Sequence, residues 1–298
     1  MTSIIRAEGL TKRYGASRGV SDIDLAVEAG EVFGFLGPNG AGKTTTIRLM
    51  LDLIRPDAGS VRLFGLDPRR DALAVRRRIG YVPGDLRLPD RLTGREIVAY
   101  FARLRGMRDL APALAIATRL GADLDRPVRT LSRGNRQKVG LVQAFMHGPD
   151  LLLLDEPTGG LDPIVQQVFH ELVNEAAHDG RTVFLSSHVL SEVQQLAHRV
   201  AVLREGQVEL VETIESLRAR ALTRVEVCFA TAPPIGSFDA VPGVRELERH
   251  GPVVTFSLSA EADSLVKALA GHHVVSLDSD EADLEDVFLA LYDRAVAR

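Results

Sequence analysis

Apolar and polar positions follow two different periods along this chain. Residues 32–36, 151–155 and 182–186 are short, nearly continuous apolar runs. Such runs predict parallel strands buried on both faces rather than half-exposed ones. Residues 45–53 and 136–146 have helical spacing, and Asp162-Pro163 opens another helix, Asp as the cap and Pro at the first helical position. Residues 200–203 and 207–211 form a hairpin turning through Glu205-Gly206. A helix-rich insert, including 94–106 and 112–121, lies between about 88 and 131. The pattern changes near residue 223. Residues 225–230 and 253–258 alternate like half-exposed strands, 274–277 is a third strand, 261–270 and 283–295 are helical, and 232–236 is a loop. The expected architecture is an α/β domain over 1–222, a mostly parallel sheet covered by helices, followed by a small α+β domain over 223–298.

Composition refines this picture. Of 298 residues, 45% are hydrophobic and 26% charged, an ordinary globular balance. The net charge of −4 argues against an extended nucleic-acid surface. Residues 223–298 carry 13 acidic and 6 basic side chains, a net −7, which leaves +3 on the rest. Cys228 is the single cysteine, so an intrachain disulfide and a multi-cysteine metal site are both excluded. Residues 1–14 lack the apolar stretch of a signal peptide, and no run reaches the length of a membrane span. Any action at a membrane therefore requires another polypeptide to cross it.

The strongest chemical signal is Gly37-Pro38-Asn39-Gly40-Ala41-Gly42-Lys43-Thr44, which fits G-x-x-x-x-G-K-[ST]. The pattern joins an apolar strand to a helix start, where backbone N–H groups and the helix dipole both favour phosphate. Lys43 supplies charge for the terminal phosphates, and the Thr44 hydroxyl sits where a magnesium ion needs oxygen. Downstream, four leucines lead into Asp155-Glu156. At the carboxyl end of a buried strand, Asp155 would serve magnesium and Glu156 the attacking water; taken alone, the two acids would also suit a helix cap. Asp162 is fully explained as a cap, with a functional role resting on its closeness to Glu156. Residues 131–135, Leu-Ser-Arg-Gly-Asn, precede a helix and offer a second anion-binding end or an ordinary cap. His188 ends a strand of the same sheet, where it is either structural or bonded to phosphate or water. Tyr14, beside Gly15, is either a core aromatic or a platform for a purine. The arginines at 76–78, 87, 91, 95, 103, 105 and 108 form a solvated face or a docking surface for a partner or an anionic membrane.

Together these segments resemble the ATP-binding subunit of an ABC transporter over residues 4–215, in the family's order: Tyr14, the P-loop (Gly37 to Thr45), the signature (Leu131 to Asn135), the Walker B strand ending in Asp155-Glu156, the D-loop (160–162) and the switch His188. The resemblance implies an ABC-type P-loop NTPase domain with an antiparallel β part and a helical subdomain. It implies ATP and Mg2+ as cofactors. Two such subunits, expected as a homodimer, would face head to tail, each ATP lying between one P-loop and the other signature. Tyr14 would stack on adenine, Gly37 to Thr45 would hold the phosphates, and Ser132 and Gly134 would meet the γ-phosphate across the interface. Glu156 would be the base, with His188 assisting. A membrane-spanning permease would be the partner, placing the chain at the cytoplasmic face of the plasma membrane. The accessory domain, its ending at 284–289 and the segments 159–163 and 187–192 resemble prokaryotic drug and antibiotic exporters of the daunorubicin-resistance type.

Two departures stand out. The family has Gln after Tyr-Val-Pro, whereas this chain reads Tyr81-Val-Pro83-Gly84-Asp85; Asp85 is expected to replace the glutamine in part at magnesium. Arg133 and Asn135 replace a Gly and the Gln of the usual signature. Alternative readings are a soluble ABC ATPase acting on ribosomes or DNA, and a hydrolysis-poor regulatory subunit. The first is disfavoured by a single P-loop, the absence of a heptad insert and the acidic second domain. The second is disfavoured by Glu156 and His188.

Overall fold

The computed structural model describes residues 3–15, 17–220, 223–258 and 262–280. The chain divides between Thr213 and Ile214, ahead of the expected boundary at 222.

The first unit begins with an antiparallel sheet whose strands the apolar pattern did not reveal. Strands β1 (Ser3–Tyr14) and β2 (Ser17–Glu28) pair as a long hairpin, and β4 (Ala58–Leu63) adds to the other edge of β1. Between β2 and β4 come β3 (Val32–Leu36) and helix α1 (Lys43–Met50). Helix α2 (Ala72–Arg77) leads into β5 (Ile79–Val82). The insert follows as α3 (Gly94–Leu104) and α4 (Ala111–Leu120), then α5 (Arg133–Phe145). A capping box fixes the start of α3: the Glu96 N–H donates to the Thr93 hydroxyl, and Glu96 accepts from the Thr93 N–H. Gly121, at φ 58°, ends α4. Both helices pack on α5.

The second sheet is completed by β6 (Leu151–Asp155), β7 (Thr182–Ser187), β8 (Arg199–Arg204) and β9 (Gln207–Thr213), with α6 (Pro163–His178) and α7 (Leu190–Leu196) between them. Its order is β5-β6-β7-β3-β8-β9; all neighbours are parallel except the β8–β9 hairpin. Strands β3, β6 and β7 are buried at every position, as their unbroken apolar runs require. On one face Phe33, Phe35, Leu151, Leu153 and Phe184 join Ile47, Leu49 and Met50 of α1 and Ile5, Leu10 and Ile23 of the antiparallel sheet. Helices α6 and α7 cover the other face. Phe184 stacks on Phe33 at 5.8 Å between centroids and meets Phe35 at 5.2 Å. Each such buried aromatic contributes about 1.5–3 kcal/mol through apolar burial, so this layer holds the carboxyl ends of β3, β6 and β7 in register.

The second unit contains α8 (Ile214–Arg220), β10 (Thr223–Phe229), β11 (Val244–His250), β12 (Val253–Leu258), α9 (Asp263–Leu269) and β13 (Val274–Asp280). Its antiparallel sheet has the order β11-β12-β10-β13. Val225, Val227 and Phe229 of β10 and Val254, Phe256 and Leu258 of β12 form its core with Phe238, Leu265 and Leu269. Strand β11 is not evident in the sequence because its alternation is mostly charged (Arg245, Glu246, Glu248, Arg249). The helix expected at 283–295 lies outside the described residues.

Candidate nucleotide site

Three adjacent parallel strands end side by side. In register, Leu36 of β3 faces Ser187 of β7, and Asp155 of β6 faces Ser186. Ligands of open α/β sheets bind beyond such carboxyl ends. The loop after β3, from Gly37 to Gly42, turns directly into α1. Gly42 sits at φ 111°, where a side chain is strained, and an added Cβ would come within 2.6 Å of Val20 Cγ1. The close seat of β2 on the loop thus demands glycine. Asn39, Gly40, Gly42, Lys43, Thr44 and Thr45 line a cleft, with Gly19 on one side and Glu156 on another. Pro38 and Ala41 shape the loop, the Ala41 N–H donating to the Pro38 carbonyl at 3.1 Å.

Lys43 is 6% exposed. Its ammonium donates to the carbonyls of Gly37 (2.6 Å) and Pro38 (3.2 Å) and sits 3.1 Å from Glu156 Oε1 without hydrogen-bond alignment. The Thr44 hydroxyl donates to Asp155 Oδ2 at 2.8 Å, and the Ser186 hydroxyl donates to Asp155 Oδ1 at 2.6 Å. Asp155 is fully buried, so these donors are what allow its charge there. Burial and the nearby Asp155 charge push the Tyr81 phenol up to about 12, so it stays protonated.

Glu156 adopts φ 49°, a left-handed conformation uncommon for a non-glycine residue. Its N–H donates to the Ser186 carbonyl (3.1 Å) and hydroxyl (3.2 Å), which fixes the turn. The carboxylate stands between two partners: Lys43 at Oε1, and His188 Nδ1 at 2.6 Å from Oε2. The imidazole itself is half-exposed. Lys43, Thr44 and Glu156 thus line one cleft, with Asp155 bonded behind Thr44 and His188 bonded to Glu156. That constellation can hold a phosphate chain and orient a water against it.

The other expected site residues lie elsewhere. Tyr14 is 44% exposed at the end of β1, its ring beside Gly19 at the rim of the cleft. Ser132 caps α5 by accepting from the Asn135 N–H, and Asp162 caps α6 by accepting from the Val165 N–H. Neither they nor Gly134 lines the cleft among the described residues. An added Cβ on Gly134 would overlap the Gly160 carbonyl, and the Arg133 side chain lies along Gly160, so the two loops are tightly packed. Asn135 acts structurally, its side-chain amide pairing with both backbone groups of Asp123 at 2.9 and 3.0 Å.

Asp85 is not brought to the site. Its carboxylate is 67% exposed and pairs with Arg87 at 2.8 Å. The Gly84 N–H reaches Asp155 Oδ2 instead, at 3.3 Å. Where the Asp85 side chain would point was not readable from sequence, because the turn after β5 decides which groups face inward. Sequence reading also passed over Ser186, Thr158 and Glu192. Ser186 carried a signal, a hydroxyl at the polar end of an apolar strand, whereas Thr158 in the turn after β6 and Glu192 in α7 carried none that local pattern could show.

The fold and cleft define a P-loop nucleotide-binding protein. The profile of the ABC transporter family matches residues 20–159. The daunorubicin/doxorubicin resistance ATP-binding protein of Streptomyces peucetius is 36% identical, covering 96% of this chain and 98% of its own length. The bacitracin transport ATP-binding protein of Bacillus licheniformis is 32% identical, with 98% of each chain covered. A solved ATP-binding subunit of an ABC transporter superposes with a TM-score of 0.66 at 28% identity, over 72% of this chain and 92% of that one. A dimeric ATP-binding cassette with ADP and Pi shares the fold, with a TM-score of 0.65 at 23% identity over 70% and 98% of the two chains. The chain belongs to the ATP-binding subunits of ABC transporters; it binds ATP and is an ATP hydrolase of that type. Members of this class work with membrane permeases, and among the described residues no helix is long and apolar enough to cross a membrane.

Proposed function

We propose that this subunit powers export of drugs, antibiotics or other hydrophobic compounds through a separate membrane-spanning permease, working as a homodimer at the cytoplasmic face of the plasma membrane. The carrying observation is end-to-end similarity to a daunorubicin/doxorubicin resistance ATP-binding protein and a bacitracin transport ATP-binding protein, second unit included, together with the Lys43–Glu156–His188 cluster over the phosphate loop. We assign residues 1–222 to the ATP-binding domain and 223–298 to an accessory domain.

The phosphate chain of ATP lies in the loop from Gly37 to Thr45, with Lys43 turning from the carbonyls of Gly37 and Pro38 to the terminal phosphates. Thr44 and Asp155 fit magnesium, an ion that takes few protein oxygens and completes its shell with phosphate and water. When bound, it neutralises charge developing on the phosphates. Glu156 accepts the proton of the attacking water, and His188 holds the carboxylate by its Nδ1 contact. Tyr14 stacks on the adenine. Ser132 and Gly134, at the start of α5, meet the γ-phosphate on the other subunit of the dimer, with Asp162 nearby at the start of α6. Reconstitution with the cognate permease in vesicles tests this reading. ATP-dependent extrusion of a daunorubicin- or bacitracin-type compound is expected; ATP turnover with no extrusion of any such compound would contradict it.

A further inference from the structure

Glu192 lies in the first turn of α7, where the helix dipole favours a carboxylate. Its two oxygens take different partners. Oε1 accepts from the Thr158 hydroxyl at 2.6 Å, and Oε2 accepts from the Ser187 hydroxyl at 2.7 Å. The Ser187 oxygen in turn accepts from the Val189 N–H at 2.9 Å. Thr158 is 6% exposed and Ser187 fully buried, so each hydroxyl needs an acceptor inside the protein. Both distances fall in the short range of hydroxyl–carboxylate bonds.

This bridge spans two segments. Residues 156–158 follow β6, and residues 187–189 run from the last residue of β7 into the turn after it. The first segment carries Glu156 and the second carries His188, and those side chains meet at 2.6 Å. Glu192 therefore closes a second connection alongside the Glu156–His188 contact. Glu156 holds an unfavourable φ of 49°, which persists only where surrounding bonds fix it. The Ser186 bonds hold the backbone of Glu156 from the β7 side; the Glu192–Thr158 bond holds the segment two residues on.

We propose that Glu192 is a positioning residue for ATP hydrolysis, acting through Thr158 and Ser187 to set the distance between Glu156 and His188. This rests on the assignment of Glu156 and His188 made above. The role differs from phosphate binding, because Glu192 touches neither the P-loop nor Asp155 through its bonded oxygens.

The test measures steady-state ATP turnover and ATP affinity of the full chain with its permease. Glu192→Ala should lower kcat about 10- to 100-fold, the range for a small misplacement of reacting groups. ATP affinity should stay within about twofold, since the loop is untouched. Glu192→Gln, with one acceptor oxygen, should retain an intermediate kcat. Thr158→Val should lower kcat in the same direction, and the double variant should be no slower than Glu192→Ala alone. Should Glu192→Ala fail to fold, Thr158→Val and Ser187→Ala carry the same comparison. Wild-type kcat in these variants, or fully additive losses, overturns the proposal. Glu156→Gln serves as the control. If it is inactive while the Glu192 variants are normal, only the positioning role falls. If it turns over normally, the site assignment falls first and the positioning role with it.

Discussion

His188 Nδ1 lies 2.6 Å from Glu156 Oε2, linking the ends of two adjacent parallel strands, β7 and β6. The contact forms although the carboxylate is already 3.1 Å from Lys43. Removing the imidazole frees one carboxylate oxygen without disturbing the loop. His188→Ala should lower kcat about 10²-fold or more, the usual loss of an acid–base partner, with ATP affinity little changed. Single-turnover hydrolysis beside an equilibrium binding measurement checks this; equal losses in both would place His188 in binding instead.

Lys43 is the buried cation of the loop, and two backbone carbonyls accept from its ammonium. Lys43→Ala should abolish measurable Mg-ATP binding in calorimetry. The phosphates lose a charged partner, and the Gly37 carbonyl loses its Lys43 donor at a cost of about 1–3 kcal/mol, while Pro38 keeps the Ala41 N–H.

Gly134 packs so closely on the Gly160 carbonyl that no side chain fits between them. Gly134→Ala should destabilise the first unit by about 1–3 kcal/mol, the range for overpacking, and displace the 159–160 turn. A lower melting temperature together with weakened ATP-dependent dimerisation is the expected pair of results. A melt identical to wild type would show that the two loops separate freely.

His147 provides a pH signature. Burial, aided by the charge of Arg105, lowers its pKa to about 4, and its Nε2 lies 3.2 Å from the Ile79 carbonyl. The folded state thus keeps His147 neutral where the unfolded chain takes up a proton. The unfolded state binds more protons between about pH 4 and the ordinary histidine value of 6.5, so stability rises with pH across that window and falls on acidification. Melting temperatures measured from pH 7 to pH 5 should decline, and His147→Gln should flatten part of the slope.

Asp85 separates the sequence expectation from the structure. Its carboxylate is an exposed partner of Arg87, and such pairs contribute little. Asp85→Ala should leave magnesium-dependent hydrolysis within about twofold of wild type. Gly84→Ala should matter more, because an added Cβ would stand 3.2 Å from Asp155 Oδ2 and press on the buried carboxylate.

Strands β3, β6 and β7 were legible because burial on both faces leaves an unbroken apolar run, and the P-loop because its spacing is fixed by backbone geometry. The hairpin of β1 and β2 was not. Its register shifts between Ala7 and Leu10 and again after Lys12, which interrupts simple alternation. Glu156 and Asp155 were readable as a pair at a strand end. The link through Thr158, Ser187 and Glu192 was not, since it joins residues 34 apart and depends on β6 and β7 being neighbours. Asp85 was misplaced for the same reason: a position in the chain does not say which way a turn presents its side chain.

The central claim is that ATP held by the loop at 37–45 is cleaved by water under the control of Glu156. Phosphate release from the full chain with its cognate permease, wild type against Glu156→Gln, tests it most directly. The variant should still bind ATP and form the nucleotide-bound dimer while turnover falls by about 10²- to 10⁴-fold. Turnover by Glu156→Gln at the wild-type rate would contradict the account.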